Sequence, residues 1–242
     1  MNRDEYVKMR AVEDTMWWYR GLHANLLAAA RRARPPDGPV LDAGCGTGGF
    51  LRRLRRAMPG RVLIGLDREP LAAKLAAGRG DAPAAIGSVD RMPFPDAGFA
   101  AIFSADVLYH RAVDETAALA EFRRCLMPGG ALVLNLPAYR WMSSAHDRAV
   151  HGVRRYTAGG IRTRLRDAGF RRIVCGYWNS LPFPLMAAKR KLLPGGREDS
   201  EVKPFPAPVN VALKALVGIE TALIGSGVRL PFGGSVLAAA VA

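Results

Sequence analysis

The sequence predicts an α/β fold: a parallel sheet with helices on both faces. Three observations predict it. A short apolar run, Val40-Leu41, breaks at Asp42 into the glycine-rich turn Gly44-Cys45-Gly46-Thr47-Gly48-Gly49. Beyond that turn, apolar strand-like runs alternate with stretches of helical spacing. Seven such runs can be counted across the 242 residues. Strand then helix, repeated, gives parallel strands, because each right-handed crossover lays its helix on a face of the sheet. Half of the residues are hydrophobic, enough to bury a substantial core at this length.

Residues 1–38 precede the first strand. Met16-Trp17-Trp18-Tyr19-Arg20 leads into a helical run through Leu22, Leu26 and Leu27, and Pro35, Pro36 and Gly38 mark a loop. The paired tryptophans either staple this helix to the domain or belong to a lid over a bound cofactor. After the glycine turn, Phe50, Leu51, Leu54 and Met58 recur at helical spacing, with Arg52, Arg53, Arg55 and Arg56 on the other face. Residues 62–67 are the second strand, 84–87 a short third and 99–103 a buried fourth. Leu119, Phe122 and Leu126 mark a helix that Pro128-Gly129-Gly130 stops, and 131–136 is the fifth strand. Thr157 caps a helix with Ile161, Leu165 and Ala168 inward, and Gly169 ends it. Residues 171–178 and 233–241 are the sixth and seventh runs. The expected organisation is one domain over 1–242: a helical lid (1–38), a cofactor-binding core (39–136), and a substrate-side half (137–242) with a helical insertion near 179–228.

The net charge of +14 suits an acidic partner such as an anionic lipid, nucleic acid or an acidic metabolite; solvated basic helix faces explain it equally well. Cys45, Cys125 and Cys175 are odd in number and widely spaced. They suggest neither a disulfide framework nor a zinc site, which points to a reducing, cytoplasmic setting. The N-terminus has no apolar leader. The longest apolar region, 206–227, is interrupted by Lys214 and Glu220 and reads as too short for a membrane span, so a soluble protein that touches membranes is expected.

The glycine turn opens a Rossmann-like nucleotide site. Its spacing fits two templates: Gly44, Gly46 and Gly49 match G-x-G-x-x-G, and Asp42, Gly44, Gly46 and Gly48 match D-x-G-x-G-x-G. Asp67 ends the second strand about 20 residues on, where a carboxylate accepts from ribose hydroxyls or, alternatively, caps the next helix. The connection 137–156 is long and carries Tyr139, Trp141, His146, Asp147, His151, Arg154, Arg155 and Tyr156; connections of this length are usually functional.

The segment Leu41-Asp42-Ala43-Gly44-Cys45-Gly46-Thr47-Gly48 resembles the first motif of class I S-adenosylmethionine-dependent methyltransferases, in particular the small-molecule group related to the quinone-biosynthesis enzymes. The resemblance continues through Asp67, Met92-Pro93-Phe94-Pro95-Asp96, Ser104-Ala105-Asp106-Val107-Leu108-Tyr109-His110 and Leu126-Met127-Pro128-Gly129-Gly130. It implies a seven-stranded sheet in the order 3-2-1-4-5-7-6 with the last strand antiparallel. It also implies S-adenosylmethionine as cofactor and S-adenosylhomocysteine as product. The implied cofactor-binding set is Asp42, Gly44, Cys45, Gly46, Gly48, Asp67, Arg68, Ser88, Val89, Ser104 and Ala105. Within it, Gly44 and Gly46 lie under the methionine part, Asp67 holds the ribose with Arg68 beside the adenine, Ser88 and Val89 meet the adenine edge, and Ser104 and Ala105 contact the sulfonium side. Two positions depart from the family pattern: Ser88 stands where relatives often carry Asp, and Ala100 where they often carry an acid.

For methyl transfer the protein aligns acceptor, methyl and sulfur and excludes water; no metal-ligand spacing is visible. An acceptor hydroxyl or protonated amine needs a base, and His146, His151 and His110 are the candidates, with Asp147 adjoining His146. Tyr19, Tyr109 and Tyr156 are placed to orient an acceptor, and Trp18 to line its pocket. A carboxylate acceptor needs no base, and Arg154 and Arg155 can bind it bidentately unless they pair with surface acids. The acceptor expected is a small molecule, anionic or lipid-like. An RNA methyltransferase, a nicotinamide-dependent oxidoreductase and a non-catalytic cofactor-binding protein are the alternatives.

Overall fold

The computed structural model describes residues 3–143, 147, 152–192 and 205–242. Seven strands form one sheet in the order β3-β2-β1-β4-β5-β7-β6: β1 (Val40–Ala43), β2 (Leu63–Asp67), β3 (Ala84–Ile86), β4 (Phe99–Ala105), β5 (Leu126–Pro137), β6 (Arg171–Trp178) and β7 (Ser235–Val241). β1 to β5 pair in parallel, and β7 runs antiparallel to both β5 and β6. This is the expected order and the expected reversed last strand.

The described residues include the helices α1 (Arg3–Val12), α2 (Trp17–Ala33), α3 (Gly49–Ala57), α4 (Pro70–Ala77), α5 (Glu115–Cys125), α6 (Ala158–Asp167), α7 (Phe183–Leu192) and α8 (Ala207–Ser226), and a short 3-10 turn at Arg140–Met142. Successive strand residues point to opposite faces, and the sheet sorts its apolar residues accordingly. Leu41, Ile102, Leu132 and Leu134 enter one cluster with α5 and α6. Val40, Phe103 and Val133 enter the other with α2, α3 and α8. Leu26, Leu51 and Leu54 in the second cluster are almost fully enclosed, and burying each stabilises by about 1.5–3 kcal/mol relative to leaving it in water.

Local signals set most boundaries. Asp114 caps α5 by accepting from the N–H groups of Thr116 and Ala117 at 3.0 and 3.1 Å, and the Thr157 hydroxyl accepts from Gly160 at the start of α6. At Pro128-Gly129-Gly130 the structure differs from the reading of a helix stop before a strand at 131. Helix α5 already ends at Cys125, and β5 begins at Leu126, which pairs with Phe99 across an irregularity in the ladder. The glycines are carried inside an irregular strand entry. α4, PLAAKLAA, is apolar on nearly every side and so shows no distinct face from sequence.

Helix α2 is a core helix, with Leu26 and Ala30 enclosed and contacts to β5, β7 and α8; α1 instead lies over the glycine turn. α8 is 20 residues long with a mean hydropathy of 1.5, long and apolar enough to cross a membrane by those two measures. The interruptions at Lys214 and Glu220 therefore weigh less than the sequence reading gave them. Only a narrow side of α8 is covered, at Val217, Glu220 and Ile224, while Val211 and Ile219 are 64% and 55% exposed.

Candidate functional site

The site sits at the carboxyl ends of the parallel strands, where open α/β sheets bind ligands. Gly44, Gly46 and Gly48 have φ of 88°, 53° and 85°, a region that costs L side chains strain. Space decides as well: a Cβ on Gly44 would lie 2.1 Å from Val107 Cγ2, and one on Gly46 2.8 Å from Met9 Cε. The turn is pinned from beneath, with Leu66 O accepting from both Gly44 and Cys45 N–H.

Asp67 joins the turn to the next crossover. Its Oδ2 accepts from Gly46 N–H and its Oδ1 from Glu69 N–H, both at 2.9 Å. The bond to Glu69 closes a turn just before α4, whose N-cap Glu69 has no side-chain cap, and each Asp67 oxygen keeps a lone pair for a ribose hydroxyl. Burial raises the Asp67 carboxyl against the lowering by those two N–H groups. Asp42, directly beneath, is buried, and its Oδ2 has no hydrogen-bond partner. Burial, with the charges of Asp67 and Glu13 adding, pushes its carboxyl up to about 8. A glycine cradle that Cβ atoms would fill, an orphaned buried acid and a carboxylate at the end of β2 fit a nucleoside cofactor.

The remaining members of the implied set divide. Val89 and Cys45 are buried, and burial pushes the Cys45 thiol up. Arg68 is exposed, with Nη1 donating to Ala112 O. Ser88 bridges to Arg91 and bonds the Asp90 side chain. The Ser104 hydroxyl donates to Ala43 O at 2.8 Å and ties β4 to β1, while Ala105 remains partly exposed beside it.

One determinant escaped sequence reasoning. Glu13, between α1 and α2, is 4% exposed. It accepts from the Thr47 hydroxyl, from the Gly49 N–H at the start of α3, and from Arg79 Nη2. Arg79 also donates to Thr47 O and to Asp14. A helix N-terminus is a ready anion site, and in α3 a carboxylate of the chain itself occupies it. That is where the G-x-G-x-x-G template would set a pyrophosphate. A pyrophosphate seated on that N-terminus would meet the Glu13 carboxylate. Tyr6 of α1 lies near Asp67, Glu69 and Cys45; burial first, and then their charges, pushes its hydroxyl up.

A second cluster surrounds Asp106, just past β4. Its φ is 52°, which swings the residue out of the strand. Asn135 Nδ2 donates to both carboxyl oxygens at 3.1 and 3.0 Å, and Trp178 Nε1 donates to Asn135 Oδ1 at 2.6 Å. The indole thereby sets which way the amide faces. Burial pushes the Asp106 carboxyl up to about 7, opposed by the Asn135 bond and the charge of Arg155. Tyr19 and Tyr109 both lie within reach of its charge. Asn135 carried a signal: it is the one polar residue in an otherwise apolar strand run.

The other acceptor-side residues are engaged within the fold. Arg155 forms an ion pair with Asp147, Nη2 to Oδ2 at 2.8 Å, and donates to Ala138 O. Arg154 donates to the carbonyls of Leu108 and His110, and the buried Tyr156 hydroxyl donates to Leu108 O. These three hold the 152–156 segment against the 108–110 loop, so the bidentate capture of an acceptor carboxylate by Arg155 is replaced here by capture of Asp147. Trp18 stands 6.0 Å from Trp178, ring centre to ring centre. His110 packs against Tyr109, 4.3 Å between ring centres. His146 and His151 lie outside the described residues.

The fold and this site define a class: Rossmann-like domains that hold a nucleoside cofactor over the ends of β1 and β2 without a pyrophosphate seat. Residues 41–134 match the sequence model of a methyltransferase domain. The chain is 35% identical over 122 residues to a demethylmenaquinone methyltransferase of Deinococcus radiodurans, covering 48% of each chain. It is 34% identical over 136 residues to a malonyl-[acyl-carrier protein] O-methyltransferase of Serratia marcescens, covering 55% of this chain and 52% of that one. The chain spans about half the length of the curated relatives it matches. A methyltransferase of Thermotoga maritima superposes with a TM-score of 0.61 at 18% identity, over 98% of this chain and 95% of that one; at that identity the match speaks for the fold.

Proposed function

We propose that this protein transfers the methyl group of S-adenosylmethionine to a small-molecule acceptor, anionic or lipid-like, in the cytoplasm and in peripheral contact with a membrane through helix α8. The observation that carries the cofactor choice is Glu13 in the anion seat of α3. Quinone and acyl-carrier substrates of the relatives support a small acceptor, and the three cysteines, buried and free, suit a reducing compartment. When bound, the cofactor supplies an activated methyl on a sulfonium.

The chain's own residues position and deprotonate. Gly44 and Gly46 let the backbone approach the ligand, Asp67 accepts from the ribose hydroxyls, and Val89 closes the adenine side. Asp106 stands one residue past Ala105, at the sulfonium side. A carboxyl that titrates near neutrality takes the acceptor's proton efficiently, and it takes the base role first given to His110, His146 and His151. Asn135 and Trp178 hold it; Tyr19 and Tyr109 orient the acceptor; Trp18 and Trp178 exclude water.

Calorimetric titration with S-adenosylmethionine, S-adenosylhomocysteine and NAD tests this. Binding of the first two and none of NAD is the expected result; binding of NAD alone overturns it.

A further inference from the structure

On the α2 and α8 side of the sheet an open groove of about 1280 Å³ runs over β7 and β6 toward the edge opposite the cofactor site. Its floor is apolar: Val174, Gly176, Leu237 and Ala239. Its rim is cationic: Arg31, Arg32, Arg34, Arg53, Arg172 and Arg229, with no carboxylate among the lining residues. None of the six arginines forms an ion pair with a described residue. Some arginines elsewhere, Arg79, Arg124, Arg155 and Arg164 among them, have carboxylate partners, while others such as Arg55, Arg68 and Arg154 donate to backbone carbonyls. Arg34 is the left-handed C-cap of α2, its N–H donating to Ala30 O, and Arg172 lies at the register shift of β6 against β7. Arg32 is fixed by its Nη1 donating to Gly225 O at the end of α8.

One flank of the groove is α8 itself, through Gly218, Ala222 and Gly225. The helix continues outward with Val211, Leu216, Ile219 and Leu223, all exposed. Apolar floor, cationic rim and uncovered apolar helix are therefore one continuous surface.

We infer that this groove and the outer face of α8 form a docking surface for an anionic phospholipid bilayer, with lipid phosphates on the arginine rim. Guanidinium groups pair with phosphate through two parallel N–H bonds, and basic residues near an anionic leaflet are attracted to its surface charge. The apolar face of α8 adds burial at the headgroup boundary. A single-stranded nucleic acid fits less well, because it requires aromatic stacking along the basic track and the groove offers only Tyr177. The surface is separate from the methyl-transfer site and stands independently of that activity; it gives the membrane contact proposed above a specific place.

The test is co-sedimentation of the full chain with vesicles of phosphatidylcholine alone and of phosphatidylcholine with phosphatidylglycerol. Binding to the anionic vesicles only, reduced at least about tenfold in Arg172→Glu/Arg229→Glu and in Val211→Asp/Ile219→Asp, supports the assignment. Equal binding to both vesicles, or binding to neither, overturns it, and this comparison needs no variant. Tighter binding of a single-stranded oligoribonucleotide, lost in the same arginine variant, overturns it in favour of nucleic acid. A dimer in light scattering that Ile219→Asp dissociates overturns it in favour of a second copy. Cofactor affinity by calorimetry, expected unchanged in both variants, reports separately on folding and on the methyltransferase site.

Discussion

The two edges of this sheet handle charge in opposite ways. At the carboxyl ends of the parallel strands, Glu13, Asp42, Asp67 and Asp106 are drawn out of water; Glu13, Asp67 and Asp106 are held by N–H or O–H donors, and Asp42 Oδ2 has no partner. At the other edge and along α8, six arginines line a groove without a carboxylate partner. Buried acids held by fixed donors make a rigid site of defined proton affinity. Exposed cations over an apolar floor make an adaptable surface whose partner supplies the missing charge. The first arrangement suits chemistry on one small ligand, the second attachment to something extended.

Asp106→Asn tests the rigid edge most severely. The amide fits between the same neighbours and can still accept from Asn135, yet it takes up no proton, so turnover should fall about 10²- to 10⁴-fold with cofactor affinity unchanged by calorimetry. Undiminished turnover would return the base role to a histidine. Glu13→Ala removes the carboxylate that faces the enclosed Arg79 guanidinium and the first turn of α3, and should cost about 3–5 kcal/mol of unfolding free energy in urea. NAD binding by the fraction that remains folded would show that the anion seat has been vacated as argued. Asp67→Ala should weaken S-adenosylmethionine about 10- to 100-fold; unchanged affinity sinks the ribose role.

Smaller effects come from pH. The folded Asp106 carboxyl titrates near 7, above the carboxylate range of an unfolded chain. Between about pH 4 and 7 the folded state thus holds a proton that the unfolded state releases, and stability is lost as pH rises across that window. Asp106→Asn should flatten this part of the Tm profile. Turnover should run the other way in the parent, rising through about pH 7 as the carboxyl ionises.

Much of the cofactor half was legible because its signals are local. An apolar run that ends in an acid, a glycine turn and a helical stripe each sit within a dozen residues, and Val40 to Asp67 reads correctly from such pieces. Glu13 was not legible, since its partners Thr47 and Arg79 lie 34 and 66 residues away. Asp106 could be seen only as a member of a motif, because neither its positive φ nor the amide of Asn135 shows in composition. Arg155 had two open readings, and its geometry with Asp147 decided between them. The end of α5 was misplaced for a physical reason: Leu126 continues the helical spacing of Leu119 and Phe122, but its pairing to Phe99 draws it into β5.

Glu220 gives α8 a fixed orientation. Its carboxylate accepts from the N–H groups of Asn179 and Leu181, the residues that follow β6, and the side chain is closed to solvent. Threading this helix through a bilayer would break both bonds and carry a charge into hydrocarbon, a cost of several kcal/mol. The same length and apolarity that would let an isolated α8 span a membrane are therefore confined to a sideways posture. On the lipid surface proposed above, α8 would therefore lie flat, its Val211 and Ile219 face outward.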